Sequence, residues 1–331
     1  MIKTILVGFG FSANTFHLPF LNTVDSFEVV GVVSTRPSEV HAKLPEANVY
    51  ETLEEALQAD ASLFIITTPS HLHKEMVASC LRAGKDVLVE KPAFLTTAEG
   101  YELIKLEAET GQIVNVYQNR RFDGDFLTIK SLLDSNAIGD WKVMESRFDR
   151  FRPNVRDRWR ENAGQGSGIL FDLGSHLIDQ TLALFGKPDR IQADVMTQRE
   201  GGQSDDGFHV TLYYGNKRVY LRSNPFIAGE TLRFELHGTN GSFVKYGLDP
   251  QEEALKDGKL EADILETGIL SVEDVETIQV EKGSYLTYYH QLAESYQTRR
   301  PIVSLKDAAL TTQIIELARQ SSETGVVIMV D

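Results

Sequence analysis

Along the first third of the chain, short unbroken apolar runs alternate with segments whose apolar positions recur at helical spacing. The runs are "IKTILV" (2–7), "FEVVGVV" (27–33), the centre of "SLFIITTPS" (62–70), "DVLVE" (86–90) and the centre of "QIVNVYQNRRF" (112–122). Continuous runs of this length are the mark of strands buried on both faces, as in a parallel sheet. Between them "NTFHLPFLNT", Leu53 to Gln58, a helix capped by Ser70 and carrying His71, His73 and Glu75, and "TTAEGYELIKLEAETG" read as helices. Regular strand–helix alternation predicts an α/β unit with a doubly wound, mostly parallel sheet.

After residue 120 the period changes. A helix, "DFLTIKSLLDSN", precedes the strand "WKVMESRFDR", and from residue 190 alternating runs follow: "RIQADVMTQ", "GFHVTLYYG", "KRVYLRS", "TLRFELHG" and "GSFVKYG". The Gly-Asn pair at 215–216 and the Asn-Gly pair at 240–241 are hairpin turn signals. This half reads as an α+β domain with a large, mostly antiparallel open sheet. Residues 249–282, acidic and rich in turn formers, read as a surface excursion, and "LTYYHQLAESYQT" and "KDAALTTQIIELARQSSE" as closing helices. The expected domains are 1–120 and 121–331, with the last helix packing back on the first.

One helix breaks its own pattern. In "GILFDLGSHLIDQ" (168–180), Asp172, His176 and Asp179 stand at i, i+4 and i+7, on one face of a regular α-helix. The stretch reads either as a capped helix with a satisfied core histidine or as a face built for acid–base chemistry.

The first strand stops at "GFGFSA", and strand, glycine turn, helix and second strand fit within 33 residues. That context turns a weak glycine pattern into a dinucleotide-binding, Rossmann-type fingerprint. Gly8 permits the tight turn, Gly10 lets backbone approach a pyrophosphate, and Ala13 takes the third small position; Phe11 and Ser12 complete the turn. The second strand runs into Ser34, Thr35 and Arg36, with no acid before Glu39. A carboxylate at that strand end would accept from a ribose 2′-hydroxyl, whereas hydroxyls and a guanidinium suit a 2′-phosphate. The expected cofactor is therefore NADP(H) rather than NAD(H). Ligands bind beyond the carboxyl ends of such strands, which places Thr67, Thr68, Pro69, Glu90, Lys91 and Asn119 on the cofactor side. A lysine directly after an apolar strand, with Pro92 behind it, is a candidate for proton chemistry, a pairing with Glu90 being the alternative.

Composition narrows the partners. The 331 residues contain 42% hydrophobic and 24% charged side chains with a formal net charge of −15, which argues against nucleic acid or an anionic membrane as partner. No apolar run reaches the roughly 18 residues of a membrane span. Cys80 is the one cysteine, so no intramolecular disulfide forms and a cytoplasmic location is expected. The eight histidines show no ligand spacing, and no metal is expected. The arginine-rich stretch "RFDRFRPNVRDRWR" (147–160) reads mainly as a solvated loop pairing with Asp149, Asp157 and Glu161.

The glycine turn, "VEKPA" (89–93), "YQNRRFDGDF" (117–126) and "DLGSH" (172–176), in this order, resemble the glucose–fructose oxidoreductase/inositol dehydrogenase (Gfo/Idh/MocA) family over nearly the whole chain. Within it, "GFGFSANTFHLPF", "RWRE", "SHLIDQTLALFG", "GSFVKYGLDPQE" and "GSYLTYY" are most similar to bacterial NADP-dependent scyllo-inositol dehydrogenases. The resemblance implies a catalytic set of Lys91, Asp172 and His176 at the nicotinamide, with Gly174 leaving space for the ring and Asp179 and Gln180 in support. It also implies Asn119 and Arg120 near the nicotinamide, and Arg152, Arg156, Trp159, Asp172 and His176 on the substrate. His17 belongs to the subgroup motif and stays open between a core histidine and a site residue. The implied substrate is a cyclic polyol or sugar, and the implied assembly a homodimer or homotetramer. Oxidation of another aldose or a sugar acid, or a catalytically silent NADP sensor, are the alternatives.

Overall fold

A computed structural model describes residues 1–157 and 161–331. The chain divides into two compact units: Met1–Asn119 with Gln251–Ala262 and Ser284–Ala309, and Arg120–Pro250 with Asp263–Gly283 and Leu310–Asp331.

The first unit is built on strands β1 (Ile2–Val7), β2 (Phe27–Val33), β3 (Asn48–Tyr50), β4 (Leu63–Ile66), β5 (Asp86–Glu90) and β6 (Val114–Tyr117). They lie in the order β3-β2-β1-β4-β5-β6, every pair parallel. All four residues of β4 and of β6 are buried, which explains why these strands read as unbroken apolar runs. The winding reverses between β1 and β4, so a crevice is expected beyond the ends of those two strands. The helix Thr97–Thr110 starts with a reciprocal cap between Thr96 and Glu99 and stops at Gly111 in a left-handed conformation.

A plain division at residue 120 leaves the helix Tyr285–Thr298 in the second domain; the structure places it in the first unit. Its aromatic face accounts for this. Tyr289 stacks on Phe20 with ring centroids 5.0 Å apart, Tyr288 meets Tyr117 edge-on at 5.0 Å, and the Tyr296 hydroxyl donates to the Val87 carbonyl. Three buried tyrosines of this size contribute strongly through area alone. The first turns of the last helix, Leu305–Thr324, add Leu305, Ala308 and Ala309 to the apolar core around β4, β5 and β6, while residues from Leu310 belong to the second unit.

The second unit carries a nine-stranded sheet of β7 (Trp141–Arg147), β8 (Arg190–Met196), β9 (Gly207–Tyr214), β10 (Lys217–Ser223), β11 (Leu232–Gly238), β12 (Ser242–Tyr246), β13 (Thr267–Ser271), β14 (Val275–Gln279) and β15 (Ile328–Met329). Their order is β14-β13-β12-β11-β7-β10-β9-β8-β15, antiparallel except where β7 meets β10. Residues 249–282 are not a surface excursion. They supply the helix Gln251–Lys256 and the strands β13 and β14. Because β14 is an edge strand exposed along most of its length, no buried face imposes an alternating pattern. Among the described residues no helix is long and apolar enough to cross a membrane.

Candidate functional site

The glycine turn leaves β1 through Gly8, whose φ of +93° lies in a region that side chains avoid. A Cβ there would stand 3.0 Å from Thr67 Oγ1, and that hydroxyl donates to the Val7 carbonyl at 3.1 Å. The turn is thus fastened to the end of β4. Around Gly10 nothing lies within 4 Å of where a Cβ would be, so backbone is open to an approaching group. The Asn14 amide donates to the Phe9 and Gly10 carbonyls at 3.2 and 2.9 Å. Ala13, fully buried, opens a π-helical turn through His17. Phe11 is exposed beside the turn.

At the end of β2, the Ser34 hydroxyl accepts from the Arg36 backbone at 3.1 Å. The Arg36 guanidinium donates to the Phe9 carbonyl at 2.9 Å and to Glu39 at 2.8 Å, and it remains half exposed. An exposed ion pair of this kind is worth roughly 0–1 kcal/mol, so Glu39 holds Arg36 only weakly.

Beyond β5 lies a polar cluster centred on Glu90. Ser12 Oγ and His17 Nε2 (3.1 Å) both contact Glu90 Oε1, and the Lys91 backbone N–H donates to Glu90 Oε2 at 3.2 Å. Burial pushes the Glu90 carboxyl up, but the hydrogen bond and charge of His17, the Ser12 hydroxyl and the Lys91 charge outweigh it and bring it down to about 2. His73 sits with Nδ1 and Nε2 each 2.7 Å from a carbonyl, of Pro92 and Thr68 respectively. It joins the loops that follow β4 and β5. Burial lowers its pKa, against the pull of both carbonyls and Glu90.

In the second unit, a π-helical turn over Leu170–Gly174 leads into the α-helix Ser175–Phe185. The stretch read as one helix thus opens with a π turn that holds Asp172, and His176 and Asp179 follow on the α-helix. Turns of this type concentrate at functional sites. Asp172 and Leu173 line a cavity of about 390 Å³ with Arg150, Arg152, Arg156, Arg199, Asp205 and Asn224 among its walls. Gly168, with φ +93°, is obligatory in two ways: a Cβ would also overlap the Asp205 carboxylate. Asp205 in turn accepts from the Leu170 N–H at 2.8 Å and from Arg319 at 2.6 Å, which fixes the start of the π turn. His176 is buried in the first helical turn after it.

The other expected site residues fall as follows. Gly174 does not leave a space: the position of its missing Cβ is crowded by Leu170 at 2.9 Å and Phe208 at 3.4 Å, so glycine serves close packing. Asp179 is buried in a two-pronged pair with Arg121 at 2.7 and 2.8 Å. Gln180 links the Arg120 carbonyl to Arg233, which also pairs with Asp125. Arg120 is buried against Asp123 and the Phe148 ring, and Asn119 is buried at the end of the first unit. In the arginine stretch Arg147 pairs with Glu145 and feels the charge of Asp149, and Arg156 pairs with Glu161 as expected. Trp159 lies outside the described residues.

Sequence reasoning missed Arg199 and Asp206. Arg199 donates to Glu161, to the Asn154 carbonyl and to Asp206, tying the two loops of the cavity wall together. The adjacent acids in "QSDDGF" were the available signal. Among the described residues no group of three or more His, Cys, Asp or Glu is placed to hold a metal ion.

This is an oxidoreductase: the chain belongs to the Gfo/Idh/MocA family. Residues 2–118 match "Oxidoreductase family, NAD-binding Rossmann fold" and residues 130–330 match "Oxidoreductase family, C-terminal alpha/beta domain". Among its relatives, the scyllo-inositol 2-dehydrogenase (NADP(+)) IolW of Bacillus subtilis (strain 168) is 40% identical over 344 residues, covering 100% of this chain and 96% of that protein. The uncharacterized oxidoreductase YdgJ of Escherichia coli (strain K12) is 37% identical, over 97% of this chain and 96% of its own. The solved structure of the oxidoreductase yvaA from Bacillus subtilis superposes with a TM-score of 0.95 at 40% identity, covering 100% of this chain and 98% of that one.

Proposed function

We propose that the protein is an NADP(H)-dependent oxidoreductase that interconverts a secondary alcohol and a ketone on a cyclic polyol, with scyllo-inositol and its keto partner as substrates. The observation that carries this reading is the 40% identity, across the whole chain, with a relative named for that activity. Two local features agree with it. The end of β2 offers Ser34, Thr35 and Arg36 where an NAD-selective site has an acid. The cavity at Asp172 mixes arginines with carboxylates, among them Asp157, Glu161, Asp205 and Asp206. A wall of both signs offers donors and acceptors together, which suits a neutral polyhydroxyl ring better than a sugar acid.

The residues around the turn fit the cofactor: Gly8, Gly10, Phe11, Ser12 and Ala13 would hold the pyrophosphate, and Ser34, Thr35 and Arg36 the 2′-phosphate. Thr67, Thr68, Pro69, Glu90, Asn119 and Arg120 would complete its binding. When bound, the nicotinamide supplies hydride acceptance or donation at the substrate carbon. His176 takes the hydroxyl proton as general base, an imidazole being matched to neutral pH. Lys91 stabilises the oxygen as it gains negative charge, an effect worth roughly 3–4 kcal/mol for one well-placed donor. Asp172 holds a neighbouring hydroxyl, and Arg152 and Arg156 grip the ring from the cavity wall.

A substrate panel at fixed NADP⁺ tests the reading. The highest kcat/KM is expected for scyllo-inositol, with other inositols next and aldoses and sugar acids well below. Turnover of aldoses or gluconate-type acids, with none of any inositol, would contradict it.

A further inference from the structure

His17 is fully buried, yet every polar atom around it can serve two protonation states. Its Nε2 lies 3.1 Å from Glu90 Oε1 and its Nδ1 lies 2.8 Å from the Tyr289 hydroxyl. The Tyr289 hydroxyl is also 2.9 Å from the Phe16 carbonyl, to which the Tyr117 hydroxyl donates independently at 3.1 Å. With a neutral ring, Nε2–H donates to Glu90 and the Tyr289 O–H donates to Nδ1; Tyr117 alone satisfies Phe16. With a charged ring, both nitrogens donate, and the Tyr289 proton turns to the Phe16 carbonyl. No heavy atom has to move between the two states, and neither leaves a buried polar group unsatisfied, the condition that usually prevents a buried histidine from titrating.

The other end of this relay is Glu90. Its Oε1 also accepts from Ser12 in the glycine turn, and its Oε2 accepts from the backbone N–H of Lys91. One carboxylate therefore connects the turn, His17 and the residue that the functional reading makes catalytic. We propose that His17 and Glu90 are a positioning pair for Lys91, in which the proton on His17 sets how much of the Glu90 charge reaches the Lys91 ammonium. The proposal rests on the reading of Lys91 as catalytic for its purpose, though not for its physics. With His17 charged, the pair is close to neutral; with His17 neutral, the carboxylate is left to hold Lys91 in its charged form. The depressed titration of Glu90, to which both His17 and Lys91 contribute, is the same coupling seen from the carboxylate.

Other groups also face this pair. The Tyr117 ring lies 4.6 Å from that of His17, and His73 feels the Glu90 charge. The helix Gln251–Lys256, which packs on the His17 turn, carries Glu252 and Glu253, each paired with Lys256. The helix Leu18–Leu21 adds no ionisable group.

The test is a titration of the protein without cofactor or substrate, after ¹³C reductive methylation of its lysines, with the Lys91 resonance assigned by its loss in Lys91→Arg. In the wild type the Lys91 signal is expected to carry a second, smaller inflection at the pH where the His17 ring signals titrate. His17→Gln should remove that inflection, and Glu90→Gln should lower the Lys91 midpoint by about one pH unit. A Lys91 signal with one inflection in the wild type, or the same midpoint with and without Glu90, would overturn the proposal; the wild-type result stands even if Glu90→Gln does not fold. Since no turnover is read, loss of the polyol activity would sink the functional reading and leave this coupling to be judged separately.

Discussion

Arg36 and His17 show what one residue's surroundings decide. Arg36 is half exposed, donates to the Phe9 carbonyl of the glycine turn and shares its other side with Glu39. Arg36→Ala should therefore raise the Kd for NADPH about tenfold or more while leaving NADH within about twofold, because one charge-assisted contact to phosphate is worth about 1.5–3 kcal/mol. Fluorescence titration of both reduced cofactors measures this, and equal weakening of the two would remove the phosphate role. The position of the Ser34–Arg36 segment at the end of β2 was legible because it lies in local order: a strand, then a polar turn. His17 was not. Its partners Glu90 and Tyr289 stand 73 and 272 positions away, and no spacing rule connects such distances.

Elements were legible where one face or both are buried. The runs of β1, β2, β4, β5 and β6 and the alternation of β9 to β12 follow directly from what each strand faces. β14, exposed along its edge, left no such imprint, and the helix Tyr285–Thr298 went to the first unit because its tyrosines, rather than its position in the chain, determine its packing. The π turn over Leu170–Gly174 was also invisible, since it is held by Asp205 from outside the helix. Gly168 carries that arrangement. Gly168→Ala should destabilise the protein by about 2 kcal/mol or more, combining strain at positive φ with displacement of Asp205. Thermal or urea unfolding reads the loss. A variant as stable as the wild type would show that the π turn does not depend on the Gly168–Asp205 contact.

On the scale of the whole molecule, each unit carries residues that the proposed function uses. The first unit gathers the glycine turn, the end of β2 and the Ser12–Glu90–His17 cluster beside Lys91. The second presents Asp172 in a cavity of mixed charge, with His176 in the next turn. Family membership was readable in the chain from motifs in order, whereas the cavity wall was not, because Arg199 joins two loops only once they are folded. The proposed function requires Lys91 and His176 to serve the same carbon as hydride moves to or from the proposed NADP. Its most direct measurement is the rate of NADPH formation from scyllo-inositol in Lys91→Ala and His176→Ala, alongside NADPH affinity. Each substitution is expected to lower kcat by at least about a hundredfold with cofactor affinity little changed; wild-type turnover in either variant would contradict it.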